Sequence, residues 1–310
     1  MNFIKKKSSI APTPLATGAK HKFQRVAYPL PPQDNSLSFE QIKDQAPSIV
    51  DFKILNTGEV LIPSSGMLNK KRLPKNHTIP EQLWLPVYAY LFKHQTKGWF
   101  MIDAGLDSSF QQKGNIKGWL AKKYIKKTKQ ALQQNIKALL AKEYNQLAQT
   151  GEKLIIQGLF FTHLHGDHTA GLPELSPNIP LVAGKGEQFH YYPFLYTSNH
   201  MDQVNTLQEL NMDLGVPLEN LNQVLDIFGD QSLLAIATPG HSKGHLSYLL
   251  HTNEGLFLIT GDVSYTPYGL EHGIEPGWVY NRKLAQKSLQ QLSTFTQQHP
   301  EVKVIYGHGH

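Results

Sequence analysis

The sequence contains no cysteine, and it has no run of eighteen apolar residues. Without cysteine there is no disulfide, and any metal ion must be bound by histidine and carboxylate side chains. Without a long apolar run, no transmembrane helix is expected. The first residues, MNFIKKKSSIAPTPLATGA, carry lysines but no apolar segment behind them, so no secretory signal is expected either. We therefore expect a cytoplasmic protein, with the periplasm as the alternative.

Acidic side chains are scarce between residues 108 and 150, where Glu143 stands alone. Nine lysines lie in the same stretch: Lys113, Lys117, Lys122, Lys123, Lys126, Lys127, Lys129, Lys137 and Lys142. A basic helix can bind nucleic acid or an anionic membrane. Neither an interleaved aromatic pattern nor a recognised nucleic-acid motif accompanies these lysines, so we favour a solvated helix face and expect no nucleic-acid partner.

Short apolar runs alternate with helical stretches along most of the chain, which predicts an α/β fold. The runs that read as strands cover residues 51–62, 85–94, 98–103, 154–163, 179–184, 233–241, 245–252, 256–262 and 302–308. Apolar spacing predicts a helix, or a pair of helices, over 116–149 and a helix over 282–298. Residues 1–50, rich in proline, lysine and polar residues, are predicted to form a partly extended arm. Residues 51–310 are predicted to form one domain with a lysine-rich helical insertion at about 107–150.

Histidine and aspartate side chains are concentrated where predicted strands end. The stretch FFTHLHGDHTAG holds the pattern H-x-H-x-D-H, which arises by chance in on the order of one such chain in a thousand. In a tight loop, His163 and His165 can reach one metal ion while Asp167 and His168 turn towards a second. Three further strand ends carry His241, Asp262 and His308.

These seven residues predict a site for two divalent metal ions. His241 would join His163 and His165 on the first ion, His308 would complete the second, and Asp262 has two oxygens with which to bridge both. His310 is a rival to His308, which we prefer because it directly follows a strand. Zinc is the metal expected, with manganese, cobalt or iron as alternatives. Each ion would keep a position for water, and water between two divalent cations loses a proton near neutral pH.

Five segments resemble those of metallo-β-lactamase-fold hydrolases: IDAGL, THLHGDHTAG, TPGHSKGHLSY, GDVSY and YGHG. The resemblance runs from about residue 50 to the end. It implies an αβ/βα four-layer sandwich with the dinuclear site at one edge of its sheets, and the same ligand assignments. Asp103 matches an aspartate of the family that orients a ligand, and His245 matches a histidine that is generally not a ligand.

Within this family, the sequence resembles the N-acyl homoserine lactone lactonases, because Tyr265 follows Asp262 by three residues in GDVSY. The lack of cysteine argues against dizinc β-lactamases that use a thiolate, and His165 stands where diiron flavoproteins usually have glutamate. The chain also stops two residues after His308, whereas glyoxalase-II-like thioesterases carry a C-terminal helical domain.

The resemblance implies a metal-dependent lactonase, a carboxylic ester hydrolase that acts in quorum quenching. A hydroxide bridging the metals would attack the lactone carbonyl, and the Tyr265 hydroxyl would stabilise the oxyanion. Asp167 is the nearest group to pass a proton to the leaving ring oxygen. A buried core tyrosine is the alternative interpretation of Tyr265.

The substrate pocket is less well defined by the sequence. The aromatic stretch FHYYPFLY, residues 189–196, could line a cleft for an acyl chain or belong to the core. Candidate substrate contacts are Met67, Phe189, Tyr191, Tyr192, Phe194, Tyr268 and Trp278. The rival functions are a phosphodiesterase similar to RNase-Z-like nucleases, which the basic helix favours, a general esterase or thioesterase, and a non-catalytic metal-binding module. A homodimer is left open.

Overall fold

The structure is a computed structural model, which describes residues 19–20, 24–76, 78–112, 125–191, 200–201 and 203–309. Its strands are β1 (Ala19–Lys20), β2 (Gln24–Ala27), β3 (Ile49–Pro63), β4 (Gln82–His94), β5 (Gly98–Ile102), β6 (Lys127–Lys129), β7 (Ile156–Phe160), β8 (Leu181–Gly184), β9 (His190–Tyr191), β10 (Thr206–Leu210), β11 (Val216–Leu218), β12 (Leu221–Asp226), β13 (Leu233–Ala237), β14 (Leu246–Thr252), β15 (Gly255–Ile259) and β16 (Lys303–Ile305). Its α-helices are α1 (Phe39–Asp44), α2 (Ser64–Met67), α3 (Ile136–Ala148), α4 (Gly166–Thr169), α5 (Pro267–Glu271) and α6 (Arg282–Gln298). Short 3-10 helices lie at Lys70–Arg72, Ser108–Gln111, Leu172–Glu174, Met212–Leu214 and Gly261–Val263.

Eleven of the strands form one hydrogen-bonded path and three more branch from it, and these fourteen strands divide into two sheets. The first sheet has the order β2-β10-β8-β7-β5-β4-β3, with β6 also on β3, and the second has the order β11-β12-β13-β14-β15-β16. The path passes between them through the pair Thr252–Ile49. The remaining two strands, β1 and β9, pair with each other.

Alternation of side chains along the strands produces the layers. In β5, Phe100 points into a core shared by the two sheets, and Met101 points to the opposite face. In β14, Tyr248 and Leu250 enter the shared core while Leu249 faces outwards. The outer face of the first sheet packs on α3, and that of the second packs on α1 and α6. This arrangement confirms the predicted αβ/βα sandwich of four layers.

Local sequence signals account for the two longer helices. The Asn281 side chain accepts a hydrogen bond from the Leu284 N–H at the start of α6, and Asn135 caps α3 in the same way by accepting from Ala138. Helix α6 buries Leu292 and other apolar side chains against the second sheet, and its bounds match the predicted helix at 282–298.

The prediction of helix over 116–149 is wrong at 125–135, where the chain is not helical and residues 127–129 form β6 as an antiparallel pair with β3. The free backbone groups at this edge of β3 outweigh the helical spacing, because tertiary pairing overrides a weak local preference. Residues 113–124 lie outside the described part of the chain. Within the predicted arm, β2 pairs with β10 in the first sheet, and α1 buries Phe39 and Ile42 in the core.

Four strands bring the predicted ligands to one edge of the sandwich, and β5 brings Asp103 to the same edge. The parallel strands β5 and β7 end there together, and so do β15 and β16. The chain leaves β13 at the same edge and re-enters the second sheet through β14.

Among the described residues, no helix is both long enough and apolar enough to span a bilayer.

Candidate metal centre

The histidine-rich loop follows a fully buried strand end. Phe160 ends β7, and Phe161 and Thr162 continue it into the core with no exposed surface. The chain then makes the single turn α4, which starts after His165. Burial on both sides of the loop fixes its path, so the imidazoles stand on a rigid base.

Three imidazole nitrogens converge on one point. The Nδ1 atom of His165 lies 2.9 Å from the Nε2 atom of His163 and 2.9 Å from the Nε2 atom of His241. The Oδ2 atom of Asp262 lies 3.2 Å from the His241 Nε2 and 3.7 Å from the His163 Nε2. We call these three histidines, with this oxygen, the first ligand group.

The other oxygen of Asp262 faces a second set. Its Oδ1 atom lies 3.5 Å from the Nε2 atoms of both His168 and His308. The Oδ2 atom of Asp167 lies 3.5 Å from the His308 Nε2 and 3.9 Å from the His168 Nε2. We call Asp167, His168 and His308 the second ligand group, and the Asp262 carboxylate lies between the two groups.

These donor atoms fit divalent cations. The Nε2 atom of His168 and the Oδ1 atom of Asp262 are buried without a hydrogen-bond partner, although each is a strong acceptor. The ligand atoms of each group lie within 4.8 Å of one another. Nitrogen and carboxylate donors in such sets are typical of zinc and of manganese, iron or cobalt. A cation in each group would satisfy the unpartnered atoms.

The outward-facing nitrogens of the second group are fixed by hydrogen bonds. The Nδ1–H of His168 donates to the Asp103 carboxylate at 2.8 Å, and that of His308 donates to the Pro86 carbonyl at 2.8 Å. Asp103 also accepts from the backbone N–H and the hydroxyl of Thr162, and its φ of 56° places it in the left-handed region. With Nδ1 protonated, the Nε2 lone pairs must face the site.

His245 supports Asp262 by accepting a hydrogen bond from the backbone of that residue. The Nε2 atom of His245 accepts a hydrogen bond from the Asp262 N–H at 3.0 Å, so its Nδ1–H donates to the Thr238 hydroxyl at 2.9 Å. Further hydrogen bonds connect the Thr238 hydroxyl to that of Ser247, which donates to the carbonyl of Thr260. Thr260 directly precedes the turn that holds Asp262. His245 therefore contacts the loop and not the ligand atoms.

Burial and neighbouring charge shift the pKa values in opposite directions. Burial lowers the pKa of His163 and His241 well below the ordinary value, and that of His245 to about 3. Burial would also lower the pKa of His168, but the nearby carboxylates, Asp103 foremost, raise it well above the ordinary value. Burial raises the pKa of Asp262, yet the surrounding imidazoles outweigh it and hold the pKa well below the ordinary value.

Tyr265 lies beside both groups. Its ring centroid is 4.8 Å from that of His308 and 5.9 Å from that of His241, and its hydroxyl is within hydrogen-bonding reach of the Asp262 carboxylate. Burial, together with the charges of Asp262 and Asp167, raises the Tyr265 pKa well above 10. The phenol is therefore a proton donor and not a phenolate at neutral pH.

The candidate substrate contacts are divided by the structure. Met67 is buried in an apolar cluster with Tyr265, against which Tyr268 packs. Trp278 covers Gly66, where an added Cβ would come within 2.7 Å of the indole. Phe189 lies instead in the core cluster on the α3 side of the first sheet, so the structure makes it a core residue. The Tyr191 side chain, Tyr192, Phe194 and His310 lie outside the described residues.

The sequence did not single out three residues, Thr162, Pro86 and Glu187, that form hydrogen bonds with the ligand residues, with Asp103 or with the loop that carries His241. Thr162 directly precedes the histidine pattern, and this adjacency was the available signal. The Pro86 carbonyl and the Glu187 carboxylate come from distant segments, and no spacing connects them with the ligands.

Comparisons with known proteins give one family. The sequence profile of the metallo-beta-lactamase superfamily matches residues 83–310. Over 152 residues the chain is 29% identical to the N-acyl homoserine lactonase AttM of Agrobacterium fabrum, and this match spans 47% of the chain and 56% of that relative. Over 248 residues it is 27% identical to an N-acyl homoserine lactonase of Bacillus cereus, covering 78% of the chain and 88% of the relative.

Solved structures show the same fold. A variant of AiiA from B. thuringiensis, with N-decanoyl-L-homoserine bound at the active site, superposes with a TM-score of 0.62 at 21% identity. The superposition covers 84% of this chain and 94% of that one. An N-acyl homoserine lactone hydrolase with the product N-hexanoyl-L-homoserine at its catalytic metal centre has the same TM-score, identity and coverage.

Proposed function

Because the chain belongs to the metallo-beta-lactamase superfamily, we propose that it is a metal-dependent hydrolase that opens the ester ring of N-acyl homoserine lactones. The reaction adds water across the ring ester and yields the open N-acyl homoserine. Removal of such signalling lactones is quorum quenching. The names of the two lactonase relatives support this substrate class.

The position of Tyr265 is the observation that favours a lactone as the substrate. It presents a protonated phenol beside the carboxylate that lies between the two ligand groups. Hydrolysis of an ester builds negative charge on the carbonyl oxygen, and a fixed donor at that position stabilises the transition state. A buried phenol donates a hydrogen bond without adding positive charge, which suits a neutral ester oxygen better than the anionic oxygens of a phosphodiester.

The two ligand groups would hold the cations. His163, His165 and His241 would bind one and Asp167, His168 and His308 the other, with Asp262 shared, and zinc fits these donors. Two divalent cations so bound would lower the pKa of a water molecule between them and polarise the lactone carbonyl.

The chain's own residues perform the remaining steps. Tyr265 donates its hydrogen bond to the oxygen that gains charge. Asp167, whose side chain is 24% exposed and therefore reaches the open side of the site, accepts the proton released by the attacking water. It then passes that proton to the ring oxygen as the carbon–oxygen bond breaks, so the leaving group departs as an alcohol.

Apolar side chains near Tyr265 would receive the acyl chain. Met67 and Tyr268 belong to its cluster, and Trp278 lies against the adjoining helix α2. A solved neighbour with N-decanoyl-L-homoserine bound at its active site supports this proposal.

Hydrolysis of a lactone panel tests the proposal. Metal-loaded protein would be assayed on hexanoyl and decanoyl homoserine lactones, on a simple aliphatic ester and on bis-p-nitrophenyl phosphate, with metal content measured on the same sample. We expect the homoserine lactones to have the highest kcat/KM, and the Asp262→Asn variant to be inactive. Preferred hydrolysis of the phosphodiester would establish the rival nuclease function instead, and preferred hydrolysis of the simple ester a general esterase.

A further inference from the structure

Glu187 is a buried carboxylate that the proposed chemistry does not use. It follows β8, in the turn that begins at Lys185, and only 1% of its surface is exposed. A carboxylate in the protein interior is unfavourable unless several donors compensate its charge. The donors around Glu187 therefore indicate its role.

The donors come from the two loops that carry the first ligand group. The Ser242 hydroxyl and the Gly244 N–H donate to one oxygen of Glu187 at 2.8 Å and 2.6 Å. The backbone N–H of Leu164 faces this carboxylate and favours its charged form, which lowers the pKa of Glu187 against the opposing effect of burial. Leu164 stands between His163 and His165, and Ser242 directly follows His241. One side chain thus joins the loops that bear all three histidines of that group.

Close backbone packing holds Glu187 in place. A Cβ added to Gly184 would lie 2.0 Å from the carbonyl oxygen of Gly244, and one added to Gly244 would lie 2.8 Å from that of Gly184. From the other side, the guanidinium of Arg25 donates to the Glu187 carbonyl at 2.7 Å. The carboxylate is therefore fixed relative to β8 and β2, and the two loops are fixed relative to it.

We propose that Glu187 is a positioning residue that sets the cation affinity of the first ligand group and leaves that of the second group unchanged. His168 and His308 are oriented by Asp103 and by the Pro86 carbonyl, and neither bond involves Glu187. The inference rests on the cation pair of the proposed function but not on the choice of a lactone as substrate.

Amide hydrogen exchange in the metal-free full-length chain tests the contacts. In Glu187→Gln, and more so in Glu187→Leu, the Leu164 and Gly244 amides should exchange at least about tenfold faster than in the wild type. The Asp262 amide, which donates to His245, should exchange at its wild-type rate. Unchanged exchange at Leu164 and Gly244 in both variants would overturn the proposal.

Stepwise Co²⁺ binding, followed by visible absorption and by competition with a chelator, tests the consequence. One of the two equivalents should bind about 10- to 100-fold more weakly in Glu187→Gln, as is usual when a residue orienting a ligand is lost. Ser242→Ala, which removes a single donor, should weaken the same equivalent by less. Asp226→Asn, a matched loss of a buried carboxylate in the hairpin between β12 and β13, at the end of β13 opposite to the one that His241 follows, should bind both equivalents as the wild type does.

Two binding results contradict this role. Wild-type affinity for both equivalents in Glu187→Gln would overturn the proposal, and so would equal weakening of both. If Glu187→Leu does not fold, Glu187→Gln and Ser242→Ala decide the question. Weakening of one equivalent in a protein that hydrolyses no lactone would refute the proposed function alone.

Discussion

At the scale of single residues, Tyr265 combines burial with contact to the ligand groups. Its side chain is 6% exposed, and its hydroxyl approaches Asp262. Removing the hydroxyl therefore deletes one hydrogen-bond donor and leaves every proposed metal ligand in place. This separates catalysis from metal binding.

Tyr265→Phe should lower kcat by on the order of 10²-fold, because the loss of one oxyanion donor typically costs this much. Metal content, measured on the same preparation, should stay at two equivalents, and KM should change little. Tyr144→Phe removes a phenol hydroxyl from the exposed face of α3, outside the ligand groups and the candidate substrate contacts, and serves as the control. Wild-type kcat in Tyr265→Phe would remove the hydroxyl from the mechanism.

The seven side chains that the structure brings together could be read from the sequence because they share a pattern. His163, Asp262 and His308 each follow a buried apolar strand, and strand ends are where such scaffolds place chemistry. Thr162 and Glu187 could not be found in this way. Each is a single polar residue whose role depends on a partner far along the chain, such as Asp103 or Ser242, and no periodicity marks such a pair.

At the scale of elements, another buried carboxylate, Glu275, links the residues that follow Met67 to the start of α6. Glu275 has no exposed surface, and it accepts hydrogen bonds from Asn69 at 2.6 Å and from Arg72 and Arg282 at 2.7 Å each. Burial raises its pKa, but these bonds, that of Arg282 foremost, outweigh it and lower the pKa below the ordinary value. Glu275 and its three donors, which we call the Glu275 clamp, thus link the segment before β4 with α6.

Glu275→Gln should destabilise the protein at neutral pH by about 2 kcal/mol. This is less than the cost of removing one partner of a fully buried ion pair, because the two arginine side chains are 42% and 43% exposed. Because the folded pKa is the lower one, the stabilisation is complete above the unfolded pKa and is lost as the pH falls through the folded pKa. Denaturant unfolding at neutral pH and in acid should therefore show the difference from wild type shrinking in acid.

The exposed Glu81→Gln variant makes the same chemical change on the surface and should differ little from wild type at either pH. A difference for Glu275→Gln that stays constant from neutral pH into acid would show that packing, rather than the charge of Glu275, stabilises this clamp.

Elements were predictable where burial imposes a period. Strand β14 is buried along its whole length, and α6 has a clear apolar stripe, so both were found close to their bounds. Strand β6 was missed because its lysines and Thr128 pair with the edge of β3, a contact made by the backbone. Strands β10 to β12 were missed because short, mixed segments such as TLQEL and LNQVLD give little alternation.

At the scale of the whole molecule, the ligand groups join the two sheets. The loop after β7 in the first sheet supplies His163 through His168, and the second sheet supplies His241, Asp262 and His308 after β13, β15 and β16. Each ligand group takes residues from both sheets. Bound cations would therefore connect the two halves of the sandwich as well as act on the substrate.

Removal of the cations should lower the melting temperature by about 8 °C or more. A ligand at a hundred times its dissociation constant stabilises the folded state by about 2.7 kcal/mol per site, and in a chain of this length each kcal/mol shifts Tm by about 1.5 °C. Calorimetry of the protein with and without a chelator, and after Zn²⁺ is restored, measures the shift. In Asp262→Asn, which lacks one of the shared carboxylate oxygens, the chelator should change Tm far less. Cations that connect the two sheets cannot be removed without loss of stability, because each is bound by residues from both halves. An unchanged melting temperature of the wild type with and without metal would therefore show that the cations do not hold the sheets together.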